Sequence, residues 1–278
     1  MYSQHWKLKR RPFENTLEPE FYFPSQTHQA ALLKLRYLIE NQKGTGVLVG
    51  PTGAGKTFVT HRLAKELNQQ LGPWINLVFP QMSADDLLTD VAVRLGGESV
   101  VSDWPTHSVL PRSAALRIIE RSLDEHARAG RQPVLVIDDA HLIDDPATLQ
   151  ALELLLNFQQ PPQRAFSLIL LGDRRLLSQL ARLPRFDERL AVRAMLQSLS
   201  PDEAARYIQF RLEVSDARSA IFDDEALAAI AELSGGIPRR INRLADLALL
   251  VGYADARGEL TAADVAAVSD EFATVGVD

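Results

Sequence analysis

The run Gly50-Pro51-Thr52-Gly53-Ala54-Gly55-Lys56-Thr57 places a glycine at each end of a four-residue spacer and follows them with Lys and Thr. These residue types at this spacing make a phosphate-binding loop. Glycines let successive backbone N–H groups turn inward around a β-phosphate, which would sit at the positive end of the helix that follows. Lys56 would reach the β- and γ-phosphates as a point charge, and the Thr57 hydroxyl would bind Mg²⁺. Gly50, Pro51, Thr52, Gly53, Ala54, Gly55, Lys56, Thr57 and Phe58 are therefore the candidate nucleotide-binding residues.

A second chemical signal lies about 80 residues downstream, in Val134-Leu135-Val136-Ile137-Asp138-Asp139-Ala140-His141. Strands often end in Asp because carboxylates begin turns. Beside a phosphate loop, however, an apolar strand ending in acids is what a metal-dependent nucleotide hydrolase needs. Asp138 at the strand tip would hold Mg²⁺, directly or through water, next to Thr57. Asp139 would orient or deprotonate the attacking water. His141 stands beside these acids and could help orient them, whereas His61 and His107 read as structural or exposed. The chain has no cysteine, which excludes disulfides, thiolate metal sites and a Cys nucleophile, and suits the cytosol.

The apolar run Val47-Leu48-Val49 reads as the strand before the loop. Phe58 to Leu71 carries helical spacing after it. Further strand-like runs are Trp74 to Phe79, Pro133 to Ile137, Phe166 to Leu171 and Val192 to Leu196, separated by helical segments. That alternation predicts a parallel sheet buried on both faces. Beyond residue 199 the pattern is helical only. Ser200-Pro201-Asp202-Glu203 reads as a capping box with Pro at the first helical position. Asp223 and Thr261 read as further caps, and Gly235-Gly236 and Gly258 as breaks. Gly96 to Pro111 reads as an irregular surface loop. The expected organisation is a strap and first helix over 1–40, an α/β core over 41–199 and a small helical lid over 200–278.

Composition is that of a globular enzyme: 278 residues, 46% hydrophobic, 24% charged, net charge -6. The acidic balance weighs against a general nucleic-acid binder. No run approaches the ~18 apolar residues of a membrane span, and Met1 to Arg11 lacks the apolar core of a signal peptide. A cytoplasmic protein without a transmembrane segment is expected.

The chain resembles the AAA+ ATPases of the ExeA/GspA type, the general secretion pathway component A, and their relatives in transposition. The resemblance begins at Met1-Tyr2, His5-Trp6-Lys7-Leu8 and Pro12-Phe13. It continues through Glu18-Pro19-Glu20-Phe21-Tyr22, Ser25 to Leu32 and Leu170-Leu171-Gly172-Asp173. It ends with Gly235-Gly236-Ile237-Pro238-Arg239-Arg240-Ile241-Asn242. It implies a P-loop fold, a five-stranded parallel sheet sandwiched by helices and followed by a helical lid. It also implies binding and hydrolysis of ATP with Mg²⁺, coupled to the action of subunits and lid on a protein partner in secretion-related or envelope-related assembly. Leu8, Pro12-Phe13 and His28 would line the adenine pocket, and Asp173 would sense the γ-phosphate. Arg239 would touch the phosphates from the lid. Arg189 would be an arginine finger serving a neighbouring subunit in a ring or helical homo-oligomer. Asp187 and Glu188 offer Arg189 a plain ion pair instead, and Arg185 and Arg193 compete for the role.

Three departures from the family pattern matter. Asp139 stands where Glu is usual, which would slow turnover. Asp173 replaces an amide, so Arg174 or metal would have to compensate its charge. Secretion-type members often continue into a membrane helix and a peptidoglycan-binding domain, which this sequence does not contain. Two alternatives follow. One is a DNA-associated ATPase of the transposition-targeting kind, whose basic stripe would be the arginines from Arg174 to Arg193 or Lys7-Leu8-Lys9-Arg10-Arg11, runs that equally read as solvated faces; the other is a slowly hydrolysing nucleotide switch.

Overall fold

The computed structural model describes residues 2–67, 71–78, 80–96, 110–160 and 165–275. Among them, the five apolar runs form five strands: β1 (Thr45–Val49), β2 (Leu71–Leu77), β3 (Gln132–Ile137), β4 (Ser167–Gly172) and β5 (Leu190–Met195). They make one sheet in the order β2-β3-β4-β1-β5, parallel at every pairing. The fold is the expected P-loop α/β sheet with helices, accompanied by a helical C-terminal portion. Strand ends differ from expectation by at most three residues. Phe79 and residues 97–109 of the expected loop, His107 among them, lie outside the described residues. The helix after the phosphate loop, α3 (Lys56–Leu67), starts two residues earlier than its apolar spacing indicated, and Leu71 already belongs to β2. The start is set by Gly55, whose φ of 95° cannot be helical, so the helix begins at the next residue.

The chain divides into two compact units, 29–50 with 59–196 and 1–28 with 51–58 and 197–278. The first is built on the sheet. One face carries Val47, Val49, Ile75, Leu77, Leu135, Ile137, Leu168 and Leu170. They share a core with α4 (Ala84–Gly96), α5 (Arg112–Arg128) and α6 (Pro146–Leu155). Alternate residues Leu48, Val134, Val136 and Ile169 point the other way and are equally buried. On that side α2 (Gln26–Glu40) comes so close that a Cβ on Gly46 would lie 2.8 Å from Leu38 Cδ2. Each such Leu or Ile contributes roughly 1.5–3 kcal/mol by leaving water. Since every strand runs the same way, Gly50, Asp138 and Asp173 all follow strand C-termini and share one sheet edge. Backbone bonds hold this edge: Gly50 N–H donates to Gly172 O (3.1 Å) and Asp138 N–H to Leu77 O (2.8 Å).

The second unit is helical, with α1 (Tyr2–His5), α9 (Pro201–Val214), α10 (Asp224–Ser234), α11 (Pro238–Ala254) and α12 (Ala262–Val275). Its punctuation follows the sequence. Ser200 and Glu203 complete a capping box at α9, and Asp223 accepts the Ala226 N–H at 2.6 Å at α10. Thr261 departs from expectation: its hydroxyl and N–H both donate to Asp264, so the acid supplies the cap. Gly235 and Gly236 close α10 with φ of 60° and 67°. A Cβ on Gly236 would lie 2.1 Å from the Leu199 carbonyl, so no other residue fits there. The N-terminal segment is part of this unit. Tyr2, Trp6, Leu8 and Phe13 are buried in its core. The buried Arg211 guanidinium donates to the carbonyls of Pro12 and Glu14, each at 2.5 Å, while stacking 4.3 Å from the Phe21 ring.

Candidate functional site

Residues 51–58 of the phosphate loop lie within the helical unit, together with His28 and Arg239. Gly53 and Gly55 adopt φ of 83° and 95°, conformations open to glycine and strained for other residues. Lys56 is buried on the first turn of α3, with its Nζ 3.2 Å from the Pro51 carbonyl. Thr57 follows it, partly exposed. Two further contacts reach the loop's carbonyls. His28 Nε2 lies 2.9 Å from Ala54 O, and the Arg239 N–H donates to Gly53 O at 3.2 Å. The second exists because Pro238 begins α11 and leaves the first-turn N–H groups without helical acceptors. The contacts are close: a Cβ on Gly53 would come within 2.7 Å of Arg239 Cβ, and one on Gly55 within 3.0 Å of His28 Nε2. The Arg239 side chain itself is exposed and makes no hydrogen bond or ion pair among the described residues.

Beside the loop is a cleft lined by Phe21, Tyr22, Phe23, His28, Phe58 and Tyr207, among others. Tyr22 and Phe58 meet edge to face at 5.4 Å. The slot is apolar and aromatic and adjoins the backbone N–H groups of the loop. His28 and Phe58 line this cleft, whereas Leu8 and Phe13 are buried in the core of the unit. The aromatic wall comes instead from Phe21, Tyr22 and Phe23, whose Phe-Tyr-Phe run was the available signal.

The acids lie on the sheet unit. Asp138 is partly exposed at the tip of β3 and accepts the Asp139 N–H at 2.9 Å. Asp139 is exposed and left-handed, with φ 48° and ψ 35°. Asp tolerates that conformation better than Glu, which gives the shorter acid a local reason. His141 is buried between two carboxylates, Nδ1 3.9 Å from Asp139 Oδ1 and Nε2 3.6 Å from Asp173 Oδ2. Burial works to raise the Asp173 pKa, but hydrogen bonds from Arg175 and the adjacent His141 outweigh it and hold the carboxyl below its usual value. The compensating cation is thus Arg175, bonded at 2.8 Å through side chain and backbone, and not Arg174. Asp173 precedes α7 (Arg175–Leu180) and accepts the backbone N–H two residues on, which brings Arg175 to it.

Arg189 is exposed at the end of α8 (Pro184–Glu188), immediately before β5. Its Nη2 donates to Asn157 Oδ1 at 2.7 Å, while Asp187 pairs with Arg193 at 2.6 Å. The plain ion pair open to Arg189 is therefore taken by Arg193. Preceding β5 puts Arg189 at the sheet edge opposite Gly50, Asp138 and Asp173.

Residues 39–180, half of the sequence, match the family model described as AAA domain. The chain belongs to the AAA domain family. This AAA chain is 28% identical over 285 residues to general secretion pathway protein A of Aeromonas hydrophila, covering 99% of this chain and 49% of that protein. It therefore spans about half the length of that relative. Among solved structures, it is similar to the Aeropyrum pernix ORC2 protein in its ADPNP–ADP complexes (TM-score 0.72, 17% identity, 95% of this chain and 72% of that one). The Thermotoga maritima RuvB Holliday junction branch migration motor aligns with a TM-score of 0.61 and 17% identity over 96% of this chain and 74% of its own. At these identities the likeness is one of fold. No helix among the described residues is long and apolar enough to cross a membrane.

Proposed function

We propose that this chain binds Mg-ATP and hydrolyses it, and that it uses subunit and lid motion to act on a partner. The observation carrying the reading is the loop itself: glycines in left-handed conformations, a buried lysine at the helix start and an aromatic cleft alongside. Lys56 would contact the β- and γ-phosphates, and the N–H groups of the loop would bind them. Thr57 and Asp138 would hold Mg²⁺, which when bound neutralises charge developing on the phosphate oxygens. Asp139 would orient the attacking water and accept its proton. Asp173 would report on the γ-phosphate, its charge balanced by Arg175. Arg239, with its guanidinium unengaged and its N–H on the loop, would couple bound phosphate to the lid helix.

Arg189 would act on another subunit. It precedes the six residues of β5, which span roughly 20 Å at about 3.3 Å each, so it lies far from the acid-bearing edge of its own sheet. This favours a ring or helical homo-oligomer with the finger supplied in trans. The 28% identity to a general secretion pathway protein supports a role in secretion-related or envelope-related assembly. DNA is the second reading. It is favoured by the fold shared with an ORC1 protein solved in complex with DNA, and by the exposed Arg174, Arg182 and Arg185, unpaired among the described residues. A cytoplasmic location fits both.

Steady-state ATP turnover over a wide range of protein concentration, with and without duplex DNA, tests this. Specific activity that rises with concentration supports the finger in trans, and further stimulation by DNA selects the second reading. Flat, near-zero turnover in every condition contradicts hydrolysis and leaves a nucleotide switch.

A further inference from the structure

His28 is more tightly engaged than a wall of a base pocket requires. It stands three residues after Ser25, which precedes α2, and its N–H lies 3.4 Å from Ser25 Oγ. Its ring is buried and each nitrogen has a partner. Nδ1 is 2.6 Å from Ser25 Oγ, and Nε2 is 2.9 Å from the Ala54 carbonyl. A carbonyl only accepts, so Nε2 carries a proton; in the neutral ring Nδ1 then accepts from the Ser25 hydroxyl. Burial disfavours the imidazolium and lowers the pKa, consistent with that neutral tautomer. Ser25 therefore fixes which nitrogen faces the loop.

The bond to Ala54 has a geometric consequence. In a trans peptide the carbonyl and the following N–H point to opposite sides. Holding Ala54 O on His28 turns the Gly55 N–H away from His28. The Ala54 N–H is already committed to the Pro51 carbonyl at 3.1 Å, so the Gly55 N–H becomes the donor whose direction His28 controls. We propose that His28 is a positioning residue of the phosphate loop: its Nε2–H sets the Ala54–Gly55 peptide so that the Gly55 N–H faces the bound phosphate. The inference rests on the nucleotide-binding reading of residues 50–57 and adds the group that pre-orients one of its donors.

The test compares Mg-ATP affinities of wild type, His28→Gln, His28→Asn and Ser25→Ala, with Lys56→Ala as control and a melting curve for each. Gln places an amide N–H close to the position of Nε2, whereas Asn reaches only that of Nδ1. Gln should stay within about threefold of wild type, while Asn should weaken binding about 10- to 100-fold, the range of one or two hydrogen bonds to a charged ligand. Ser25→Ala keeps the ring but frees its tautomer and should weaken binding about threefold to tenfold. Equal affinity for all four folded proteins, or Gln as weak as Asn, overturns the proposal while a loss in Lys56→Ala keeps the phosphate loop standing. Absence of ATP binding by wild type overturns the loop reading and this inference with it.

Discussion

The phosphate loop and the acidic edge of the sheet are held by different means. Around the loop, His28, Lys56 and the Arg239 N–H reach the carbonyls of Ala54, Pro51 and Gly53 at 2.9–3.2 Å. At the edge, Asp173 is bonded to Arg175 at 2.8 Å, but His141 stands 3.6 Å and 3.9 Å from Asp173 and Asp139, beyond hydrogen-bonding distance, and Asp139 is exposed. Short bonds to backbone, partly buried, admit one conformation. Longer contacts between side-chain charges admit several. If the chain binds and hydrolyses ATP as proposed, the loop would serve binding and the exposed Asp139 turnover.

Perturbing each region separately should split the two functions. The largest effect is expected on turnover from Arg189→Ala, about 10³- to 10⁵-fold on the scale of arginine fingers. Mg-ATP affinity should stay within about threefold, since Arg189 contacts Asn157 and not the loop. A loss of affinity, measured alongside steady-state rates, would make Arg189 structural. Next is Asp139→Asn, which keeps a residue suited to the left-handed backbone and removes the base. A fall in kcat of about 10²- to 10⁴-fold with unchanged affinity is expected. Unchanged kcat would remove Asp139 from the chemistry.

The smallest effect separates the regions by pH. Burial lowers the His28 pKa below its unfolded value near 6.5. The unfolded chain then binds more protons in the window below that value. The stability from neutral His28 is complete above about pH 6.5 and is lost as pH falls through it. Asp173 also has a lowered pKa, so its contribution is complete above about 3.8 and is lost only in stronger acid. His61 shifts in the same direction as His28, so urea unfolding at pH 7 and pH 5 should compare wild type with His28→Gln. The variant should lose less stability on acidification; an equal loss would mean His28 does not carry the effect.

Much of this was legible in the sequence, and the limits have physical causes. The loop, the strand before it and the acids after β3 could be placed because each depends on local chemistry: glycine at positive φ, apolar burial on both faces, carboxylates at a strand end. The start of α3 was misplaced because apolar spacing says nothing of where a phosphate loop releases the chain into a helix. Arg175 was missed in favour of Arg174 because an acid capping two residues ahead reaches past its neighbour. The N-terminal segment was expected beside the nucleotide, yet Leu8 and Phe13 are core residues. Their partners on α9 and α11, anchored by Arg211, lie some 200 residues away and no local pattern announces them.

Whether residues 50–57 bind the phosphates of ATP is measured by the Mg-ATP affinity of wild type against Lys56→Ala. Micromolar binding by wild type and a loss of about 100-fold or more in the variant are expected. Micromolar affinity retained by Lys56→Ala would contradict phosphate binding at this loop.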